Sequence, residues 1–343
     1  MPGNKRLTDR LDGDEQTTDG HRPEPAADGS GPGFLVGTTD GVFRAPTLPV
    51  EDPEPCLDAG TVHRLKRPPG GDVLAATDDG LYRTSDNGRT WHDCDVPTRR
   101  VHAVTESDGQ LFAGTLPAAV YRSDDGETWT ECRGFQALPV RADWPTDPNQ
   151  DEVRVHTLAS HPAAPERLIA GVEVAGLYAS TDYGRTWHEI SGPFHDDVHQ
   201  VVCRTAERWV LAGREGVYRT RDAGDSWTEL PLGKRRYVRQ LLVSEGRLYV
   251  PVARSGPLWD GESGADAALY AVDAWDGDHT RIGYAGAPVE KILSWATAGG
   301  RVFAGTTHGT LLEIAGDSAA VVGRVPVAAD APLAYGTTTL CPL

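Results

Sequence analysis

Four stretches of the chain align as copies of one turn, and an internal repeat limits the possible folds more sharply than composition does. They are Leu81 to Trp91 (LYRTSDNGRTW), Val120 to Trp129 (VYRSDDGETW, one residue shorter), Leu177 to Trp187 (LYASTDYGRTW) and Val217 to Trp227 (VYRTRDAGDSW). The shared core is Ser/Thr-x-Asp-x-Gly-x-Thr/Ser-Trp. In the aligned copies Asp86, Asp124, Asp182 and Asp222 hold the acidic position, from which a short carboxylate can fold back onto turn amides. Gly88, Gly126, Gly184 and Gly224 permit positive φ, and Trp91, Trp129, Trp187 and Trp227 can lock each turn onto a core. The shortened second copy puts Arg122 where Ser or Thr is expected.

Each turn sits inside a larger unit of short alternating segments. A first segment carries Val-His, as in TVHRL (61–65), RVHAV (101–105), RVHTL (154–158) and DVHQV (197–201). An apolar segment follows, ending near Ala or Gly (DVLAAT, QLFAGT, RLIAGV, RWVLAG), then Gly-apolar-Tyr, then a segment opened by the turn tryptophan. Alternation over four to six residues between turn signals reads as strands, which predicts an all-β chain of four-stranded units. Residues 237–273 and 289–314 give two more units without the turn motif.

The motif resembles the Asp-box (BNR) repeat of sialidase-like and sortilin-like β-propellers, and the chain is also similar to intracellular repeat proteins related to photosystem II assembly factors. The resemblance implies a single propeller over residues 33–343 and a scaffold or binding role. GFLVGTTDGVFRA (33–45) supplies only the middle strands of an opening unit. The tail LAYGTTTLCPL (333–343) can supply its missing inner strand, close the ring and remove an exposed edge, which makes seven blades, with six and eight as the alternatives because the two units without the motif are hard to phase. Residues 1–32, poor in apolar residues and rich in Asp, Gly and Pro, read as a disordered acidic segment.

The net charge of −17 comes from 50 acidic against 33 basic residues, of which only 4 are lysine. This balance resembles proteins of salt-in halophiles, where a hydrated acidic surface stays soluble in screening salt. It implies a high-salt cytosol. No basic run suits a nucleic-acid reader, and no apolar stretch is long enough for a membrane span or an export signal. Monomers are expected. Cys94 and Cys132 fall where other copies have Ile190 and Leu230, so they read as core residues.

Residues 43–46 bear on the sialidase resemblance. Phe43-Arg44-Ala45-Pro46 looks like a Phe/Tyr-Arg-Ile-Pro motif, but GVFRA (41–45) aligns with GLYRT (80–84) and GVYRT (216–220), which makes Arg44 a third-strand residue. No arginine triad or Tyr/Glu pair accompanies it. A phosphate loop, a nucleophile elbow and a dinucleotide fingerprint are equally missing from the sequence.

Topology places the candidate site. In a four-stranded blade the connections from strand four to the next strand one, and from strand two to strand three, emerge on the face opposite the motif turns. The two long connections, 133–152 and 253–267, belong there and bring Trp144 and Trp259 as a possible rim. His63, His102, His156 and His199 start four successive inner strands, with Arg239 and Glu290 in the next two units, Tyr237 just before Arg239, and Glu173 in a neighbouring connection. His195 and Asp197 lie on the same side.

Three readings of this ring stand side by side. The histidines are inherited structural repeats, or they line a pocket for a protein or small polar ligand, or they bind a transition metal, for which imidazole is suited although no metal-ligand spacing is present. No cofactor is expected otherwise. The enzymatic alternative is a glycoside hydrolase using Glu173 and Glu290 as its two carboxylates.

Overall fold

A computed structural model describes residues 31–145, 153–234, 236–255, 266–273, 279–327 and 336–343. It contains seven antiparallel four-stranded sheets, so the expected blade count holds. The inner strands of blades two to seven are Val62–Lys66, Val101–Ser107, Val155–His161, Val198–Cys203, Leu242–Ser244 and Ile292–Ala298. That of blade one is the C-terminal strand Thr337–Pro342, which pairs with Phe34–Thr38 in the register Phe34↔Pro342 and Leu35↔Cys341. The first described strand and the C-terminal strand therefore share one sheet, and among the described residues the ring has no free inner edge. The proposed disordered segment 1–32 lies outside the described residues except for its end, where Gly31 already pairs with Leu48.

The core is divided the way a ring of blades requires. Seven apolar clusters fill the seven gaps between successive blades, from Leu74, Leu81 and Val104 between blades two and three to Phe34, Val36 and Phe303 between blades seven and one. Each strand buries alternate residues toward one neighbour and then the other, which is why both faces of a blade are apolar. Close approach at the inner rung needs small residues on the second strand. A Cβ on Gly114 would lie 2.5 Å from Val155 Cγ1 of the next blade, and one on Gly171 2.7 Å from Val198 Cγ1.

The four motif turns form one hydrogen-bonded device. In blade four, Asp182 Oδ1 accepts from Ser180 Oγ (2.8 Å) and Thr186 N (2.8 Å), while Oδ2 accepts from Thr186 Oγ1 (2.6 Å). Asp86 and Asp222 repeat this pattern. The turn demands two consecutive positive-φ residues, Asn87-Gly88, Tyr183-Gly184 and Ala223-Gly224. Trp187 and Trp227 donate to the carbonyls of Gly184 and Gly224, each at 3.1 Å.

Blade three corrects the alignment. The residue deleted there is the first of the positive-φ pair, so Ser123 takes the hydroxyl position and Asp125, not Asp124, accepts from Ser123 Oγ, Glu127 N and Thr128 N at 2.7–2.9 Å. Arg122 is then an ordinary strand residue. Asp124 instead accepts from Gln110 Nε2 at 2.6 Å.

Cys94 and Cys132 are buried, and burial pushes their thiols up to about 12 and about 11. Among the described residues no helix is long and apolar enough to cross a membrane.

Candidate functional site

The inner strands place the site by breaking their own register. In six of the seven blades the first and second strands slip by one residue at the same rung, leaving a single unpaired residue: Thr338, His63, His102, His156, His199 and Leu293. A bulge re-aims its side chain and locally ends the ladder. Repeated around a ring, it brings five of the six side chains, all but His199, to one mouth of the central channel. There the structure holds a cavity of about 540 Å³ lined by His63, His102, His156, Arg239, Thr338 and Leu293, with Asp78, Arg154 and Gln240 among its other walls. Thr61, Arg100, Asp78 and Leu116 come from the connections opposite the motif turns, and no motif-turn residue reaches the cavity.

Four of the expected residues thus come together: His63, His102, His156 and Arg239. His199 does not join them. It is 1% exposed, with Nδ1 2.8 Å from the Val238 carbonyl, Nε2 3.2 Å from Asp197 Oδ1 and its ring 4.9 Å from that of Tyr237. Its Nδ1 contact ties the blade-five inner strand to the segment leading into blade six, Nε2 lies beside Asp197 without an aligned hydrogen bond, and Tyr237 packs with it outside the cavity lining.

Glu290 is out of phase. The blade-seven bulge falls at Leu293, and Glu290 instead accepts from Thr306 Oγ1 at 2.5 Å outside the cavity lining.

Trp144 is no rim residue either. The connection after blade three folds as a short helix (Arg133–Gln136) and a 3-10 turn (Pro139–Asp143) along the seam with blade four. Phe135 is fully buried there against Trp144, Tyr178 and Trp187, at 5.9, 6.2 and 5.3 Å between ring centres. Trp144 Nε1 donates to Tyr178 Oη at 3.1 Å. An amphipathic aromatic next to an open apolar seam buries itself rather than facing water. Trp259 lies outside the described residues.

The electrostatics of the mouth favour neutral imidazoles. Burial pushes His63 below its ordinary range despite the hydrogen bond of its Nε2 to Asp78 Oδ1 at 2.9 Å. Burial pushes His102 well below, and takes His156 down to about 3, helped by the Arg239 guanidinium. The carboxylates move the other way. The His63 bond holds Asp78 low. Burial raises Glu173, but the His156 contact and the Arg154 guanidinium outweigh it and leave it well below the carboxylate range. Asp197 is lowered likewise, because His199 outweighs its burial.

His102 stands apart. It is 3% exposed and lines the cavity, yet neither ring nitrogen has a hydrogen-bond partner. His156 Nδ1 sits 3.2 Å from Glu173 Oε2 but out of line for a hydrogen bond.

His63, Asp78 and His102 place ligand atoms within 4.8 Å of one another, the one such group among the described residues. The two imidazoles lie face to face, 3.7 Å apart and 21° from parallel. A metal lies near the plane of each imidazole that binds it, so one of these rings must turn before both could share an ion at the usual 2.0–2.1 Å.

Sequence reasoning missed Asp78, Arg154, Gln240 and Thr338. Asp78 was visible only as turn chemistry in Thr-Asp-Asp-Gly (77–80), and Thr338 only to a reader who carried the bulge into the closing strand.

No family model and no curated protein matches the chain. Solved structures match its fold. The xyloglucanase of family GH74 from Xanthomonas campestris is 15% identical with a TM-score of 0.62, covering 91% of this chain and 54% of that one. The GH74 enzyme of Niastella koreensis is 16% identical with a TM-score of 0.60, covering 85% and 47%. YCF48, solved bound to D1 peptide, is 14% identical with a TM-score of 0.51, covering 73% and 77%. The chain spans between about a third and about half of the GH74 chains it matches. At such identities the likeness is one of fold, and it embraces enzymes and binding proteins alike.

Proposed function

We propose that this chain is a non-catalytic binding propeller of a high-salt cytosol that holds a small polar ligand at the mouth opposite its motif turns. The observation that carries the reading is the bulged ring: the same rung is broken in six blades, and five of the six freed side chains line one cavity of about 540 Å³. Pre-formed concave sites with a few convergent polar groups are the usual form of a ligand pocket.

The GH74 neighbours make a glycoside hydrolase the rival. Glycoside hydrolysis needs one carboxyl kept protonated as a general acid and a second carboxylate across the sugar bond. Of the cavity-lining carboxylates, Asp78 is held below its ordinary range, which suits ion pairing and opposes proton donation. Glu173 and Glu290, the expected catalytic pair, both lie outside the cavity lining, and Glu173 is itself held well below the carboxylate range.

A panel of chromogenic glycosides in molar KCl separates the two readings. The expected result is no turnover by protein whose melting temperature rises with small polar ligands. Turnover that disappears in Glu173→Gln or Glu290→Gln overturns the binding reading.

The nearness of His63, Asp78 and His102 favours a metal as the second reading. Elemental analysis of protein purified without chelator, repeated on His102→Ala/His156→Ala, decides it. A stoichiometric transition metal lost in the double variant establishes the metal.

A further inference from the structure

Beside the bulge, the four histidine blades repeat a second contact. The first residue after strand two donates its N–H to the carbonyl of the residue two before the bulged histidine. Asp78 donates to Thr61, Leu116 to Arg100 and Glu173 to Arg154, each at 3.0 Å, and Arg214 donates to Asp197 at 3.2 Å. Each of these histidines thus has the same two neighbours by position, one leading into its strand and one from the adjoining connection.

Three of the four blades use one of those positions to give the histidine a carboxylate. Asp78 Oδ1 lies 2.9 Å from His63 Nε2, and Asp197 Oδ1 lies 3.2 Å from His199 Nε2. In blade four a single carboxylate serves both neighbours: Glu173 Oε2 accepts from Arg154 Nε and lies 3.2 Å from His156 Nδ1. Blade three keeps the arginine and the histidine of that trio as Arg100 and His102, but Leu116 stands in place of the glutamate.

Both remaining members of the blade-three trio lack a partner. His102 is 3% exposed with neither ring nitrogen bonded. Among the described residues the Arg100 guanidinium has no hydrogen bond and no ion pair. Arg100 helps to hold Asp78 low, but that carboxylate is bonded to His63. Arg100, His102 and Leu116 all line the cavity, so the vacant corner opens on the ligand space. A carboxylate arriving there would accept from the guanidinium fork and from the imidazole N–H, and charge-assisted bonds of this kind are the strong ones.

We infer that the mouth binds a small organic acid, whose carboxylate takes in blade three the place that Glu173 fills in blade four, between Arg100 and His102. This rests on the binding reading above and adds the chemical class and the seat. No hydrogen bond has to break for the His102 ring to turn a nitrogen toward the entering oxygen. Leu116 and Leu293 offer an apolar wall to the carbon skeleton of the acid.

The test is calorimetry and melting at the lowest KCl concentration that keeps the protein folded. The probes are lactate, succinate and citrate, the neutral amides lactamide and succinamide, and the polyol erythritol. The proteins are wild type, Arg100→Gln and Leu116→Glu. At least one acid is expected to bind wild type and raise its melting temperature. The amides are expected to bind at least about tenfold more weakly, and Arg100→Gln to bind the acid at least about tenfold more weakly, the factor that corresponds to losing one charge-assisted hydrogen bond. Leu116→Glu rebuilds the blade-four trio within blade three. It is expected to melt higher than wild type without ligand and to lose the acid, because its own carboxylate occupies the seat. Arg100 is exposed, so Arg100→Gln decides the matter even if Leu116→Glu does not fold.

Acid binding unchanged in Arg100→Gln or in folded Leu116→Glu, amides bound as tightly as the acids, or erythritol bound where no acid is, each overturns the carboxylate seat and leaves the binding mouth standing. Failure of every probe overturns both.

Discussion

Replacing His102 with leucine should stabilise the protein while destroying its site. Both ring nitrogens of His102 are sealed from solvent without a partner. A buried polar group left unpaired costs about 1–3 kcal/mol. Leucine is of similar size and removes both nitrogens. What is lost is the stacking on His63 at 3.7 Å, worth about 0.5–1.5 kcal/mol by analogy with aromatic pairs. With two such nitrogens costing about 2–6 kcal/mol together, the balance is a gain of about 0.5–5 kcal/mol at pH 7. With an unfolding entropy of about 2.1 cal/mol/K per residue, roughly 300 ordered residues give about 0.6 kcal/mol/K, so the melting temperature rises by about 1–8 °C. Chemical denaturation at fixed salt, read as a midpoint with unchanged slope, measures the free energy directly. The gain should also grow on acidification, because the wild type alone must keep this imidazole uncharged. A His102→Leu protein less stable than wild type by a kilocalorie or more would refute the reasoning, since it would mean that His102 makes a structural bond.

Acid should destabilise the fold through its histidines. Their folded pKa values lie below the unfolded value near 6.5, so the unfolded chain binds more protons and stability is complete only above that pH. It falls as the pH drops from about 6.5 toward about 3, by up to about 1.4 kcal/mol per pH unit for each histidine, and melting curves between pH 7.5 and pH 5 should show a slope that shrinks in His156→Leu; a flat profile contradicts it. Trp144→Ala should cost about 3–5 kcal/mol through the cavity left beside Phe135 and Tyr178, with ligand affinity unchanged; reduced affinity at unchanged stability would return Trp144 to a rim. The acidic surface should make folding salt-dependent, and a melting temperature equal in dilute buffer and in about 2 M KCl contradicts this, because the Debye length is already about 3 Å at 1 M.

The blades were legible because their signals are local and repeated. A turn that needs Asp86, then positive φ at Asn87 and Gly88, then Trp91 has few substitutes, and four copies fix the spacing of the rest. The closing strand followed from a shortage of strands at one end and a surplus at the other. The histidine ring was legible as far as register carries: His63, His102 and His156 share the bulge, but His199 shares it too and is captured by Asp197 and the Val238 carbonyl. Glu290 failed because blade seven carries its bulge at Leu293, and a missing Val-His pair gives no mark of where the slip occurs. Trp144 failed because a tryptophan in a long connection looks alike whether it lines a rim or fills a seam.

The central claim is that the working surface is the mouth opposite the motif turns. Its most direct test is a melting-temperature screen of small polar and anionic compounds on three proteins: wild type, the mouth variant His102→Leu and the opposite-face variant Arg89→Ala, whose exposed guanidinium caps the Asp86 carbonyl at 3.2 Å. Compounds that occupy the mouth should raise the melting temperature of wild type and Arg89→Ala equally and leave His102→Leu unmoved. Stabilisation that survives in His102→Leu and is lost in Arg89→Ala would place the site on the other face and contradict it.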